Sequence, residues 1–193
     1  IHFVSKDAMD IRSLGESNVR KFYTLGLMHD IPGIYQLDFS KLEQLEGFGK
    51  KSLTNLRAAI DQSRAQPLHR LIFGLGIRYV GETTAKTLAN AVSHLLELRN
   101  WTEEQLLTLE DIGPKVVGAI QQFFSNEDNI HMLEKLEELG VSLQNTKATH
   151  ATDGNLTGQT FLFTGTLAKL KRSDAEEMVE QNGGKILSGG SSK

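Results

Sequence analysis

Four glycines, Gly15, Gly49, Gly81 and Gly113, stand 34, 32 and 32 residues apart along the chain. A glycine turn that leads into a helix exposes unpaired backbone amides at the positive end of the helix dipole, and such a place binds phosphate with no catalytic side chain. The candidate contacts are Gly15 and Glu16 in the first copy, Gly47, Gly49, Lys50 and Lys51 in the second, Arg78, Gly81, Glu82, Thr83 and Lys86 in the third, and Gly113 and Lys115 in the fourth. Geometry alone could also ask for glycine here, because a left-handed backbone is cheap only for glycine. Four copies in one register favour the phosphate reading, since repeats that serve only packing do not need the same narrow turn each time.

Windows from three residues before each glycine to eight after it hold nine Lys or Arg and five Asp or Glu, whereas residues 1–145 together hold 15 basic and 19 acidic residues. Positive charge therefore collects at the turns, in a chain whose net charge of -3 argues against a broad basic face. The fourth window carries a net -1 and is expected to bind least tightly or to pack against a neighbour. Amides and long basic side chains hold phosphate without reading bases, so the expected ligand is double-stranded nucleic acid bound without sequence preference.

The elements that must position these glycines follow from the apolar pattern. Four residues before each stand Ile11, Leu45, Ile77 and Leu109, and immediately before it Leu14, Phe48, Val80 and Ile112. Four after it come Val19, Leu53, Ala85 and Val117, and seven after it Phe22, Leu56, Leu88 and Ile120. Spacings of three on each side put one apolar stripe on a helix before the turn and another on a helix after it. Each unit reads as helix, glycine turn, helix. Ser40 to Glu43 and Thr102 to Gln105 have capping-box spacing, Gly26 and Gly140 sit where left-handed helix caps are wanted, and Pro32 and Pro67 mark connections.

Beyond residue 145 the pattern changes. A polar stretch without periodicity, beginning at Ser142 and assigned to residues 146–156 as a linker, precedes a short strand at Thr160 to Thr164. Ser173 and Glu176 have capping-box spacing for a helix with Ala175, Met178 and Val179 on one side, and Lys185 to Leu187 reads as a second strand. Residues 157–193 thus form the βαβ start of a small α/β domain. The expected fold is mainly α, with four tandem two-helix units over residues 1–145, a linker, and a partial α/β segment.

Zero cysteines exclude a disulfide scaffold and thiolate zinc sites and fit a reducing compartment; no apolar run approaches membrane-spanning length. The six histidines show no metal-ligand spacing. Trp101 and Tyr79 are expected to pack, Tyr79 with some chance of touching nucleic acid, and Glu134, Glu137 and Glu138 read as a solvated helix face. The start at Ile1 and the Gly-Gly-Ser-Ser-Lys end suggest a piece of a longer protein.

The four glycine units resemble the helix-hairpin-helix family of DNA-binding motifs, and in tandem they are similar to that domain of bacterial NAD-dependent DNA ligases. His2 to Ile11 with Leu14-Gly-Glu16, and Leu75 to Glu82, look like segments of that family; Phe161 to Leu167 and Gly183 to Lys185 are similar to the start of a BRCT domain. The resemblance implies a bacterial cytoplasmic, nucleoid-associated parent enzyme for replication and repair. With NAD it would adenylate a lysine, and with magnesium it would seal nicks; a zinc module would lie just upstream of Ile1. It also implies that this fragment binds no cofactor of its own and contains no catalytic residue, the Lys-x-Asp-Gly motif being absent. Implied partners are nicked duplex DNA and the other domains of the same ligase, in a monomer without a membrane partner. Thr164 and Gly165 match a phosphate pocket of some BRCT domains, although the basic partner falls outside the chain. Two alternatives stay open. Leu109 to Ile120 resembles the hairpin of base-excision glycosylases, with Lys115 as nucleophile and Asp128 too close in sequence to serve as the usual aspartate. A helical protein-interaction repeat has a similar period.

Overall fold

The computed structural model describes residues 1–146, 156, 159–163, 172–182 and 184–187. The chain divides into two compact units, residues 1–145 and 146–193.

In the first unit, among the described residues, nine α-helices follow in order: α1 (Glu16–Thr24), α2 (Ile31–Ile34), α3 (Phe39–Leu42), α4 (Lys50–Ser63), α5 (Leu68–Gly74), α6 (Glu82–Ala91), α7 (Glu103–Leu107), α8 (Pro114–Ser125) and α9 (Glu127–Glu138). They share one apolar core. All sixteen repeat positions around the glycines belong to it, twelve of them buried, with Val19, Leu45, Phe48 and Leu109 packed half-buried against the rest. The residues four and seven after each glycine are thus the packing face of the helix that follows it, whereas those four and one before it, expected on a helix, lie in the turn: the preceding helices end at Leu42, Gly74 and Leu107. Trp101 packs against the same core. The Tyr35 hydroxyl reaches the buried Ser63 Oγ at 2.9 Å, and burial raises its pKa above the ordinary phenol value.

Gly26 and Gly140 take the left-handed conformation, at φ 70° and 90°, and end α1 and α9. Behind them Leu27 and Val141 donate to Phe22 and Leu136, so both ends close as Schellman motifs. The Thr102 and Gln105 capping box opens α7. The box expected at Ser40 does not form. Asp38 is the cap of α3, because its carboxylate accepts both the Ser40 N–H, at 3.0 Å, and the Ser40 hydroxyl, which lowers the Asp38 pKa.

Two further expectations need correction. No helix precedes Gly15: after a 3₁₀ turn at His2–Val4 the chain runs through turns, with Asp10 at φ 49°, and the backbone bonds link Met9 to Phe3 and Asp10 to Ser5. The polar stretch also starts later than Ser142. Val141 and Leu143 are buried, Leu143 accepts from Leu95, Asn145 donates to Ser93, and Ser142 donates to Arg64, so these residues close the first unit.

In the second unit β1 (Thr160–Phe161) pairs in parallel with β2 (Lys185–Ile186), in register Thr160 to Lys185, with α10 (Arg172–Gln181) between them in sequence. Ala175 and Val179 of α10 are buried, but Met178 is 52% exposed and does not join them. A Cβ on Gly184 would stand 2.6 Å from Val179 and 3.1 Å from Phe161, so close approach of strand and helix requires glycine there. Most of the expected linker lies outside the described residues, as do Thr164 and Gly165. Among the described residues no helix is long and apolar enough to cross a membrane, and no group of three His, Cys, Asp or Glu could hold a metal ion.

Candidate nucleic-acid interface

Each repeat glycine stands immediately before a helix: Gly15 before α1, Gly49 before α4, Gly81 before α6 and Gly113 before α8. The local bonding is the same each time. The residue before the glycine donates to the carbonyl three residues earlier, Leu14 to Ile11 at 3.2 Å, Phe48 to Leu45 at 3.2 Å, Val80 to Ile77 at 3.0 Å and Ile112 to Leu109 at 3.4 Å. The glycine carbonyl then accepts from the fourth residue after it, Val19, Leu53, Ala85 or Val117, at 2.9 to 3.1 Å. A four-residue turn thus passes directly into the first turn of a helix.

The left-handed residue of this turn is not the repeat glycine. Gly15, Gly49, Gly81 and Gly113 have φ of -72°, -80°, -88° and -99° with extended ψ, a region open to any residue. The positive φ falls two residues earlier, at Ser13 (69°), Gly47 (90°), Tyr79 (65°) and Asp111 (62°), and only the second copy places glycine there. Backbone conformation therefore does not explain the four repeated glycines. Crowding does not explain them either, since a Cβ built on any of the four meets no protein atom within 4 Å. What the missing side chain leaves open is an approach from outside to the amides at the helix start.

These amides are also left without side-chain partners. None of α1, α4, α6 and α8 has a side-chain cap, whereas α2, α3, α7 and α9 are closed by Asp30, Asp38, Thr102 and Asn126. An anion placed at such an end gains about 0.3–1 kcal/mol from the dipole at an exposed site, so one turn alone would hold phosphate weakly and several must act together.

Around the turns Glu16, Lys50, Lys51, Arg78, Glu82, Thr83, Lys86 and Lys115 are all exposed. The side chains of Lys50, Lys51, Lys86 and Lys115 make no hydrogen bond or ion pair among the described residues, which leaves them free for a ligand. Arg78 lies over the ring of Tyr79, 4.9 Å from its centroid, and Tyr79 is 52% exposed rather than packed. Counting cations along the sequence overstates the supply, because Arg12 pairs with Asp10 at 3.7 Å and three more are engaged within the protein. Arg20 bonds Glu16 at 2.6 Å, Arg57 lies 4.3 Å over the Phe39 ring, and Lys21 donates to the Glu46 carbonyl at 3.0 Å. The Lys21 contact spans 25 residues, and no sequence signal announces it. His94, which caps the 3₁₀ segment Leu95–Asn100 in a box with Glu97, was likewise not foreseen, although its spacing to Glu97 is the box spacing.

A family model described as a helix-hairpin-helix motif matches residues 70–133, which include the Gly81 and Gly113 turns. Curated relatives extend much further along the chain. A DNA ligase of Sulfurihydrogenibium azorense is 53% identical over 97% of the chain and 26% of the ligase. A DNA ligase of Persephonella marina is 49% identical over 100% and 27%, and one of Aquifex aeolicus 43% identical over 100% and 26%. The chain spans about a quarter of the length of these relatives. Over nearly its whole length the chain is thus similar to a quarter-length segment of these DNA ligases, and it carries a match to the helix-hairpin-helix motif.

Proposed function

We propose that residues 1–145 form a tandem array of four helix-hairpin-helix units that holds double-stranded DNA by its phosphates without reading sequence. The parent protein would be an NAD-dependent ligase sealing nicks in replication and repair. The observation that carries this reading is the set of four glycines, unstrained, uncrowded and without side-chain caps, at the start of α1, α4, α6 and α8. Side chains are absent at the four places where they would come between a phosphate and the helix amides. Lys50, Lys51, Arg78, Lys86 and Lys115 add charge beside the amides, and Glu16, paired with Arg20, adds little repulsion.

None of the chemistry of sealing falls to this chain. The sequence has no cysteine for a thiolate zinc site and no Lys-x-Asp-Gly for adenylation, so its residues do not fit NAD or zinc, and those groups would be held by other domains of the same monomeric, cytoplasmic enzyme. Residues 157–193 are read as the start of a BRCT domain, on the parallel pairing of β1 and β2 around α10. Lys115 is a phosphate contact in this reading; a glycosylase is expected to carry a single such hairpin rather than four.

Binding of the chain to nicked, continuous and single-stranded DNA across a salt series tests the proposal. Duplex is expected to bind with little sequence preference, and each cation on a phosphate contributes about 0.9 to the slope of log K against log salt. A Gly49→Leu, Gly81→Leu double variant is expected to lose about tenfold or more in affinity, roughly 1.4 kcal/mol, while staying folded. Unchanged affinity in the folded variant would sink the proposal.

A further inference from the structure

Lys21 lies six residues after Gly15 on α1, inside the basic window of the first turn, yet its side chain serves the second. Its Nζ stands 3.0 Å from the Glu46 carbonyl oxygen and 5.2 Å from the centroid of the Phe48 ring, and the neighbouring Phe22 ring stacks on Phe48 at 5.3 Å between centroids. Lys21 is half-buried by these contacts.

The bonded carbonyl belongs to a special peptide. Leu45 to Phe48 is the four-residue turn before Gly49, closed by the Phe48 to Leu45 bond, so Glu46–Gly47 is its central peptide. Gly47 has φ 90°, close to the roughly +80° of the third residue of a type II turn. The related type I turn differs by a flip of that central peptide and takes a negative φ at the third residue, which glycine reaches as easily. Two orientations of the Glu46–Gly47 peptide are thus open to this sequence. In a trans peptide the N–H points opposite to the C=O. When the Glu46 oxygen is turned to Lys21, the Gly47 N–H faces away from it, and an added Cβ on Gly47 would meet nothing within 4 Å.

We infer that Lys21 is a positioning residue for the second turn: its ammonium, seated on Phe48, holds the Glu46 carbonyl and thereby presents the Gly47 N–H outward beside Gly49, as an additional donor to a phosphate. The inference rests on the reading of the Gly49 turn as a phosphate site. It removes Lys21 from the count of direct contacts and makes the helix after Gly15 a brace for the turn before Gly49.

The test uses the full 193-residue chain as wild type, Lys21→Met and Lys21→Arg. Methionine keeps the apolar stem over Phe48 and loses the donor. If the outward orientation drops to about a fifth of molecules, affinity for nicked duplex falls about fivefold. The salt slope stays at the wild-type value because no phosphate contact is lost, and the Gly47 amide shows microsecond-to-millisecond exchange by relaxation dispersion. Lys21→Arg restores affinity and quiets the exchange. A slope reduced by about 1 in Lys21→Met would make Lys21 a phosphate contact and overturn the inference. Unchanged affinity, or a loss with no exchange at Gly47, would overturn it as well. The Gly47 exchange is read without DNA, so a wild type that binds no duplex sinks the proposed function while the brace is still decided on its own.

Discussion

Two kinds of helix start divide the first unit. At α2, α3, α7 and α9 a side chain from Asp30, Asp38, Thr102 or Asn126 turns back and accepts from one of the first amides. At α1, α4, α6 and α8 a glycine stands in the same place, with no side-chain bond and no protein atom near its missing Cβ. Both starts satisfy the same backbone geometry, since the cap residues of either kind are extended. The difference lies in what remains for a ligand. A capped end has one of its free amides taken and a side chain lying over the end, and a glycine end keeps that amide with a clear path to the outside. One fold therefore holds helix ends closed by their own side chains beside glycine ends left open, with α5, which follows Pro67, belonging to neither kind.

Exchanging the two devices should produce the largest effect. Gly81→Asp gives α6 a carboxylate cap at unstrained φ, so stability is expected to rise by about 0.5 kcal/mol from capping and the dipole. Duplex affinity is expected to fall about tenfold or more, because the same carboxylate occupies the anion site and repels phosphate; opposite signs in a melting curve and a binding isotherm are the signature. A variant in which both quantities move together would break the distinction between the two kinds of end. On the other side, Thr102→Ala removes a working cap and is expected to cost about 1 kcal/mol, a drop of about 2–4 °C in melting temperature, with DNA affinity unchanged. The smallest effect separates the glycine ends from one another. Lys50→Ala is expected to reduce the salt slope by about 1, and Lys115→Ala by less than about 1, because Glu110 and Asp111 flank the fourth turn. Equal slopes would show that local charge does not rank the turns.

The repeat and its packing face could be read from the chain because each rests on short spacings. Apolar residues four and seven after each glycine define a helix face with no knowledge of partners, those four and one before it close the turn, and all sixteen lie in or against the core. The caps were legible where the chemistry is local and unambiguous, as at Thr102, Gly26 and Gly140. Ser40 misled because Asp38, two residues earlier, takes both its amide and its hydroxyl, and the Glu43 amide is used inside the helix by the Phe39 carbonyl. The residues before each glycine misled because an apolar spacing of three also suits a turn, and all four copies use it that way.

The part of the site that depends on conformation was less visible. Composition assigns the left-handed place to glycine, yet Ser13, Tyr79 and Asp111 hold it in three of the four turns, at a cost on the order of 1–2 kcal/mol that the surrounding core must bear. Cations in the turn windows could be counted, but their availability could not. Arg20 meets Glu16 one helical turn away, but Lys21 and Arg57 point to a carbonyl and a ring that only folding brings near.

By itself, then, the sequence determined the register of the four glycines, the helices that follow them and the concentration of basic residues at their starts. These are properties of residue type and local spacing, and no distant contact is needed to express them. Tertiary structure alone decided that the glycines are neither strained nor crowded, which side chains are spent inside the fold, and that Lys21 of one turn fastens the peptide of the next. Those outcomes depend on which surfaces meet across long separations in the chain, where a side chain from one helix competes for an acceptor or a ring on another.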